Sequence, residues 1–281
     1  MNEGVDEAGW DLEPGDEVAP LVEAVGRLVR SCRETRGMRV ADFAGAMGYG
    51  EDMIRKIERG ARIPRPEFLD QADDQLSAGG RLRWFMDDMK KARYPMKVRE
   101  LKALEDRAVD LMQYSNHNIQ GLLQTSEYAR ALYGTRQPPY SPGEVERQTV
   151  ARMARKSIFE RDPAPTLSFV QEQVTLERPI GGKVVLRQQL EHLLELGQLW
   201  NVTLQVMPTD REGHAGMDGL VQVLKFADGT GVGRSDGAFN GRPVSSLRDL
   251  RILELRYGMI RAQALTPGES LAFIEQVLER L

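Results

Sequence analysis

The chain has 281 residues, which is enough for about two domains of 100–200 residues each. Hydrophobic residues make up 41% and charged residues 28%, a balance typical of globular proteins, and no apolar run approaches the ~18 residues of a membrane span. The single cysteine, Cys32, excludes an internal disulfide, and the acidic start of the chain is unlike a secretory signal. We therefore expect a cytoplasmic protein that does not enter a membrane.

Charge is unevenly distributed along the chain, whose formal net charge is −4. Residues 1–20 carry seven acids and no Lys or Arg, whereas residues 21–66 carry ten bases against six acids. A basic module behind an acidic segment predicts a local anionic partner. Because residues 1–19 are acidic and contain several glycines, we predict that they form a disordered tail.

A first helix is predicted from Pro20, because proline is tolerated in a first helical turn, to Gly37, a typical helix stop. Its apolar residues follow the i, i+3, i+4, i+7 spacing of one buried face: Val25, Leu28, Val29 and Cys32. The arginines Arg27 and Arg30 lie elsewhere on the helix. Either a solvated face or contact with phosphates explains them.

Three more short helices are predicted before residue 79. The second and third flank the turn Gly48-Tyr49-Gly50, and Gly60 is the expected left-handed cap of the third. Apolar spacing supports each of them, at Val40, Phe43, Ala44 and Met47, at Met53, Ile54 and Ile57, and at Leu69, Ala72 and Leu76. This order of short helices and glycine turns is typical of a helix-turn-helix domain, which we place at residues 20–79.

The third helix is the predicted recognition helix, which enters the major groove by its N-terminal residues. The candidates for contact with base edges are therefore Glu51, Asp52, Arg55 and Lys56. The candidates for phosphate contact are Arg39, Arg59, Arg62 and Arg65. The two acids have two open interpretations: they accept hydrogen bonds from cytosine N4, or they serve only the helix dipole or cap.

Residues 80–281 mix helical and strand patterns, which predicts an α+β domain, rich in helix with a small sheet. Helical spacing is seen at residues 101–112, 128–132, 145–158, 186–199, 247–255 and 271–278. Strands are predicted at residues 166–173 and 201–208, and a hairpin at residues 220–235 around Asp228-Gly229. The whole chain is thus a mainly α helix-turn-helix domain followed by an α+β domain.

Three short motifs in the α+β domain invite a chemical reading, and each favours a structural one. Ser235 lies in a G-x-S-x-G motif, but all three histidines precede it, contrary to the order of a hydrolase, so a turn is favoured. The glycines of residues 229–233 lack the helix and Lys of a phosphate loop and favour a hairpin. His192, Glu195 and His214 form a weak metal pattern, and helix packing or solvation is favoured.

Candidate ligand or partner contacts lie mostly in loops. The segment GHAGMDG, residues 213–219, has glycines around its polar residues and fits either a plain connection or a ligand-facing loop. Glu172 is an acid inside a predicted strand and fits either a solvent-facing or a pocket position. The candidates as a set are Gln120, Gln124, Glu172, His214, Met217 and Asp218.

Residues 26–66 resemble the lambda-repressor-like, XRE-type helix-turn-helix, whose pattern ends in I-x-x-I-E-x-G-x-x-x-P. Here those positions are Ile54, Ile57, Glu58, Gly60 and Pro64. The family often has Gln at the position of Val40 and Ser or Thr at that of Gly50.

Residues 80–281 resemble the C-terminal domain of actinobacterial XRE regulators that are WhiJ-like, or Scr1-type antitoxin-like. The resemblance rests on six motifs in order: QGLLQTSEYARAL, VQEQVTLERPIGG, QQLEHLLEL, NVTLQVMP, GHAGMDG and SLAFIEQVL. Regulators of this type are often paired with a small protein encoded beside them. The resemblance therefore implies a domain that senses a small partner protein or a ligand.

The resulting hypothesis is a DNA-binding transcription regulator with double-stranded DNA, a small companion protein and a second copy in a homodimer as partners. The alternative is an antitoxin-like interaction module whose helix-turn-helix has weak or lost DNA affinity, motivated by Val40, Gly50, Glu51 and Asp52. We expect no enzymatic activity, no cofactor and no metal. We also predict that the acidic tail competes with phosphate for the basic module.

Overall fold

The computed structural model describes residues 12, 18–92, 96–239, 241 and 243–281. Apart from Leu12, Val18 and Ala19, the tail that was predicted to be disordered lies outside the described residues. The chain divides into two compact units, Met1–Arg99 with Ser141–Ala151 and Glu100–Tyr140 with Arg152–Leu281. Each unit has its own hydrophobic core.

The first unit contains the predicted helix-turn-helix. Its helices up to residue 92 are α1 (Ala19–Thr35), α2 (Val40–Met47), α3 (Glu51–Glu58), α4 (Pro66–Gln75) and α5 (Met86–Ala92), with a 3₁₀ turn at Arg83–Phe85 before α5. The four predicted helices are confirmed, and α5 is an addition to them. Gly37, Gly48 and Gly60 all have positive φ angles, which explains why glycine ends each of the first three helices.

The core of the first unit continues past residue 79, because Leu82 and Met89 are fully buried in it. The buried Asp73 carboxylate holds this continuation, accepting hydrogen bonds from the backbone N–H groups of Gly80 (2.7 Å), Leu82 (2.8 Å) and Arg83 (3.2 Å). Burial alone would raise the pKa of Asp73, but these donors outweigh it and lower the pKa. An anionic Asp73 therefore fixes the turn between α4 and α5.

Two glycines let α1 lie directly against the end of α3. A Cβ atom on Gly26 would stand 2.3 Å from the carbonyl oxygen of Ile57. A Cβ atom on Gly60 would stand 2.6 Å from Cα of Glu23. Since any larger residue would separate the two helices, these glycines set how α3 is held on the domain.

The second unit is built around a five-stranded sheet. The strands are β1 (Ala108–Ser115), β2 (Thr166–Glu172), β3 (Val202–Met207), β4 (Val221–Phe226) and β5 (Gly231–Ser235). The helices that follow α5 along the chain are α6 (Met96–Glu105), α7 (Ser126–Gly134), α8 (Pro142–Ala154), α9 (Gln173–Glu177), α10 (Lys183–Leu196), α11 (Asp236–Phe239), α12 (Leu247–Gln263) and α13 (Pro267–Glu279). The start of α6 and most of α8 belong to the first unit. Short 3₁₀ helices span Gly121–Leu123 and Arg155–Glu160.

The sheet is mixed, with strand order β3-β2-β1-β4-β5. β1, β2 and β3 are parallel, with Leu111 opposite Leu167 and Phe169 opposite Leu204. β4 runs antiparallel to both β1 and β5. The carboxyl ends of three strands therefore meet at one edge of the sheet, where the direction of pairing changes at β1.

Both faces of the sheet are covered. One core contains Leu111 and Phe169 with residues of α10 and α13, and the other contains Tyr114 and Val170 with residues of α12. The glycines of β5 let α12 approach, since a Cβ atom on Gly233 would stand 2.4 Å from Leu253 Cδ1. The predicted strands at residues 166–173 and 201–208, the hairpin and the α+β fold are confirmed.

The helix predicted across residues 101–112 is wrong in its second half. α6 ends at Glu105, and Ala108, Leu111 and Met112 lie in β1. β1 is paired on both sides and covered on both faces, so its apolar residues do not alternate cleanly with polar ones. Their chance spacing matches one face of a helix, and long-range pairing decides the outcome.

Candidate functional site

The turn before α3 has the geometry of a helix-turn-helix. α2 ends at Met47, and the N–H groups of Gly48 and Tyr49 donate back to the carbonyls of Gly45 and Ala44. Gly48 has a φ of 70°, and α3 begins three residues later at Glu51. The predicted turn is confirmed, and it presents α3 as the recognition helix of this fold.

The exposed side of α3 carries two ion pairs, each between residues four positions apart. Arg55 lies 2.9 Å from Glu51, and Lys56 lies 3.1 Å from Asp52. Gly50, the residue before the helix, makes no side-chain cap. The acids thus face the cations one turn further on. Exposed pairs of this kind contribute only about 0.3–0.5 kcal/mol each, so both cations are easily transferred to an incoming phosphate or base.

Arg39 is held in a similar way at the start of α2. Its guanidinium donates two hydrogen bonds of 2.8 Å to the Asp42 carboxylate, and both side chains are exposed. These hydrogen bonds raise the pKa of Arg39 and lower that of Asp42. The pair therefore holds the Arg39 guanidinium on the exposed surface at the start of α2.

The three predicted phosphate contacts after α3 are not equally placed. Arg59 is exposed and forms no ion pair with another described residue. Arg65 is partly buried, and Arg62 is only 7% exposed. Burial leaves Arg62 little surface to offer a phosphate. Arg59 therefore fits the predicted role best, and Arg62 fits it least.

A buried ion pair joins α1 to the end of α3. The Arg33 guanidinium donates to both oxygens of Glu58, at 2.6 and 3.0 Å, and also to the carbonyl of Met38 at 2.8 Å. The hydrogen bond to Glu58 raises the pKa of Arg33 against the opposing effect of burial. Sequence spacing marks Glu58 as part of the fold, but its partner was missed because Arg33 lies 25 residues away.

A cleft in the second unit lies at the carboxyl ends of β1, β2 and β3. It has a volume of about 220 Å³ and is lined by Tyr114, Asn116, Glu172, Val174, Pro208, Thr209, Arg211, His214 and Met217. Crevices at the carboxyl ends of parallel strands, next to a change in strand order, are the usual ligand positions in sheets of this kind. The segment GHAGMDG supplies the last side of this cleft.

A carboxylate is fixed in the floor of the cleft. The Tyr114 hydroxyl donates to Glu172 Oε1 at 2.6 Å, and His214 Nε2 lies 3.1 Å from the same oxygen. The backbone N–H of Gly216 donates to His214 Nδ1, so the imidazole hydrogen resides on Nε2. Burial and the neighbouring carboxylate both raise the pKa of Tyr114. Tyr114 therefore stays a donor, and Glu172 is oriented by it.

The loop contacts this floor through its backbone. A Cβ atom on Gly216 would stand 2.4 Å from the ring of Tyr114, and the His214 ring packs edge-on against Tyr114 with 5.8 Å between ring centres. Glycine is thus required where the loop crosses Tyr114. The loop of residues 213–219 is therefore a wall of the cleft that is held in place by its contacts with Tyr114.

The predicted ligand residues are only partly brought together. Glu172, His214 and Met217 line the cleft. Asp218 instead accepts a hydrogen bond from Arg256 at 2.9 Å. Tyr114 and Asn116, which also line the cleft, were not among the predicted residues, because the strand that ends beside them was not predicted.

Gln120 and Gln124 are buried away from the residues that line the cleft. Gln124 Oε1 accepts a hydrogen bond from Arg152 Nη1 at 2.7 Å, so the Gln124 amide is a partner of the Arg152 guanidinium. The Gln120 side chain is 3% exposed, and its amide atoms have no hydrogen-bond partner.

The two histidines of the weak metal pattern have separate partners. Lys156 Nζ lies 2.8 Å from His192 Nε2, and His214 faces Glu172. Burial lowers the pKa of His192, and burial lowers that of Lys156 to about 8. Across the described ranges, no group of three His, Cys, Asp or Glu side chains is arranged to hold a metal.

Ser235 ends β5 and is completely buried. Its Oγ accepts a hydrogen bond from the backbone N–H of Ala238 at 3.3 Å, at the start of α11. The motif is therefore a strand end followed by a short helical turn.

The fold and the exposed α3 define a DNA-binding regulator of the helix-turn-helix class. Residues 24–84 match a family model described as a helix-turn-helix domain, and residues 98–276 match a domain of unknown function (DUF5753). Because the second match covers more than half of the chain, the protein belongs to the DUF5753 family. No curated protein and no solved structure matches the chain. In the described part of the chain, no helix is long and apolar enough to cross a membrane.

Proposed function

We propose that this protein is an XRE-type transcription regulator that binds double-stranded DNA through α3 and senses a small ligand in the cleft of its second unit. The observation that carries the DNA half is the exposed side of α3, where Arg55 and Lys56 are held only by weak ion pairs. Arg39 and Arg59 supplement them with exposed charge. Their place near the turn suits phosphate contacts on either side of a groove.

The sensing half is supported by the cleft at the carboxyl ends of three parallel strands. The Glu172 carboxylate lies in its floor in an orientation fixed by Tyr114. Burial of a carboxylate costs free energy unless the group has hydrogen-bond partners. The resemblance to WhiJ-like and Scr1-type regulators also supports a sensing domain. Among helix-turn-helix regulators a homodimer suits a twofold operator, so we propose a homodimer as the DNA-bound form.

The proposal does not include catalysis. Ser235, the serine of the G-x-S-x-G motif, is completely buried, which supports leaving a nucleophilic mechanism out of the proposal.

A direct test is binding to the DNA upstream of the protein's own reading frame. Fluorescence anisotropy at low salt should show tighter binding to this duplex than to a scrambled duplex of the same length. Equal binding to both duplexes would contradict sequence-specific regulation. Absence of binding to either, by the full chain and by a chain without residues 1–11, would contradict DNA binding itself.

A second candidate function is an antitoxin-like interaction module with weak DNA affinity. It is favoured by four large apolar side chains exposed on α12, namely Leu247, Ile252, Leu255 and Met259. Ile252, Leu255 and Met259 recur at helical spacing on one side of α12, and exposed apolar patches often mark protein contacts. The test is co-purification of this chain with a small protein encoded beside it. Co-purification by the wild type that is abolished by Leu255→Asp would favour this function over ligand sensing.

A further inference from the structure

The floor of the cleft contains more hydrogen-bond acceptors than donors to satisfy them. The contacts of the Glu172 carboxylate with Tyr114 and His214 both fall on Oε1. No described residue donates a hydrogen bond to Oε2. Asn116 Oδ1, an atom of the same lining, is buried and accepts no hydrogen bond from the described part of the chain. The floor therefore presents two acceptors that have no donor.

The two donors that face Glu172 in the floor are already committed. The Tyr114 hydroxyl points at Glu172, and the hydrogen on His214 Nε2 faces the same oxygen because Nδ1 accepts from Gly216. An occupant that completes this floor must bring hydrogen-bond donors of its own. Since one acceptor is a carboxylate in a largely buried position, a positively charged donor is favoured most.

The remaining walls favour a small aliphatic body. Val174, Pro208 and Met217 provide apolar surface around the floor. The volume of about 220 Å³ lies below the ~300–1,000 Å³ typical of pockets for drug-sized molecules, yet well above the ~10–15 Å³ that one water requires.

Arg211 limits the charge of the occupant. Its guanidinium lies on the exposed rim, where Nε donates to the carbonyl of Gln263 at 3.0 Å and Nη1 lies 3.9 Å from Asp210. A second positive charge on the occupant would approach this guanidinium. A monoamine therefore suits the cleft better than a polyamine.

We infer that the cleft binds a small primary amine, whose ammonium group donates to Glu172 Oε2 and Asn116 Oδ1. The inference rests on the proposed function of the second unit as a ligand sensor, and it names the chemical class of the ligand. A primary ammonium suits this floor because one NH₃⁺ group has three donors, enough for both oxygens.

The test is calorimetric titration of the full chain, without DNA, with n-butylammonium at pH 7. 1-Butanol is the neutral probe and butanoate the anionic one. We expect saturable, millimolar binding of n-butylammonium and at least tenfold weaker binding of the other two. Equal binding of 1-butanol would show an apolar pocket only, and absence of n-butylammonium binding would overturn the inference.

Three variants locate the binding. Glu172→Gln should weaken n-butylammonium at least tenfold, whereas Glu177→Gln, which removes an exposed carboxylate paired with Gln173, should leave it unchanged. Asn116→Asp adds a second negative charge in the lining and should tighten binding severalfold. If Glu172→Gln fails to fold, the Asn116→Asp result decides: unchanged or weaker binding overturns the inference.

The outcome is separable from the proposed function. If the chain binds its upstream DNA but not n-butylammonium, the amine site is wrong and the proposed role as a regulator stands. If the chain binds n-butylammonium but its affinity for DNA is the same with and without the amine, the amine site stands and the sensing role is wrong.

Discussion

Arg33 and Glu58 form a buried, two-pronged ion pair that ties the end of α1 to the end of α3. The carbonyl of Met38, which precedes α2, is a third acceptor for Arg33. The recognition helix is thus held by a charged contact inside the domain, while its outer charges stay available.

Glu58→Gln should destabilise the first unit by about 3 kcal/mol or more, because it leaves the Arg33 charge buried without its counterion. Urea unfolding measures the loss. Glu51→Gln is the matched control: it removes an exposed partner of Arg55 and should cost no more than about 1 kcal/mol. Equal effects of the two substitutions would show that the buried pair has no special role.

The double substitution Glu51→Ala with Asp52→Ala should tighten non-specific DNA binding. It frees Arg55 and Lys56 from two pairs worth about 0.3–0.5 kcal/mol each and removes two charges that repel phosphates, so a gain of roughly fivefold is expected. Anisotropy with a scrambled duplex at fixed salt measures it. A fall in affinity for every sequence would instead show that the acids make base or capping contacts.

Removal of residues 1–11 should raise DNA affinity at low salt, because it deletes four of the acids that precede the basic module. Structural support comes from Leu12, whose N–H donates to the carbonyl of Ala61 at 3.2 Å, close in sequence to Arg59. Leu12 and the buried Val18 are best kept in the shortened chain. Replacement of the four acids by Asn and Gln should reproduce the gain, and unchanged affinity in both proteins would refute competition by the tail.

Lys156 predicts a pH-dependent contribution to stability. Its pKa is about 8 in the folded chain against 10.5 for an ordinary lysine, so between these values the unfolded chain binds more protons. The cost of burying this charge is therefore present below pH 8 and is relieved as pH rises toward 10.5. Relative to Lys156→Met, the wild type should gain stability over this window in urea unfolding. The exposed Lys183→Met controls for general charge removal, and a flat difference between wild type and Lys156→Met would contradict the shift.

Local chemistry explains which parts of the structure are predictable from the sequence. Gly48 and Gly60 mark helix ends because the left-handed backbone there needs glycine, a property of single residues. β1 was missed because its apolar residues match helical spacing, and only its pairing with β2 and β4 makes it a strand.

The sites follow the same division. Glu172, His214 and Met217 were found because an acid in a strand and a glycine-rich loop stand out locally. Tyr114 and Asn116 were missed with β1. Gln120 was included although burial places it elsewhere, since a motif does not show which way its side chains point.

The most direct test of the account is a salt titration of binding to the upstream duplex by the wild type and by the double variant Arg55→Ala with Lys56→Ala. The wild type should lose log affinity linearly with log salt, at about 0.9 per phosphate neutralised. The variant should bind more weakly at low salt, and its log affinity should fall less steeply with log salt. The slope should be smaller by up to about 1.8 if both cations contact phosphates. The matched variant Arg27→Ala with Arg30→Ala, on the exposed face of α1, should change the slope less. Identical curves for the wild type and the α3 variant would contradict the claim that α3 binds DNA.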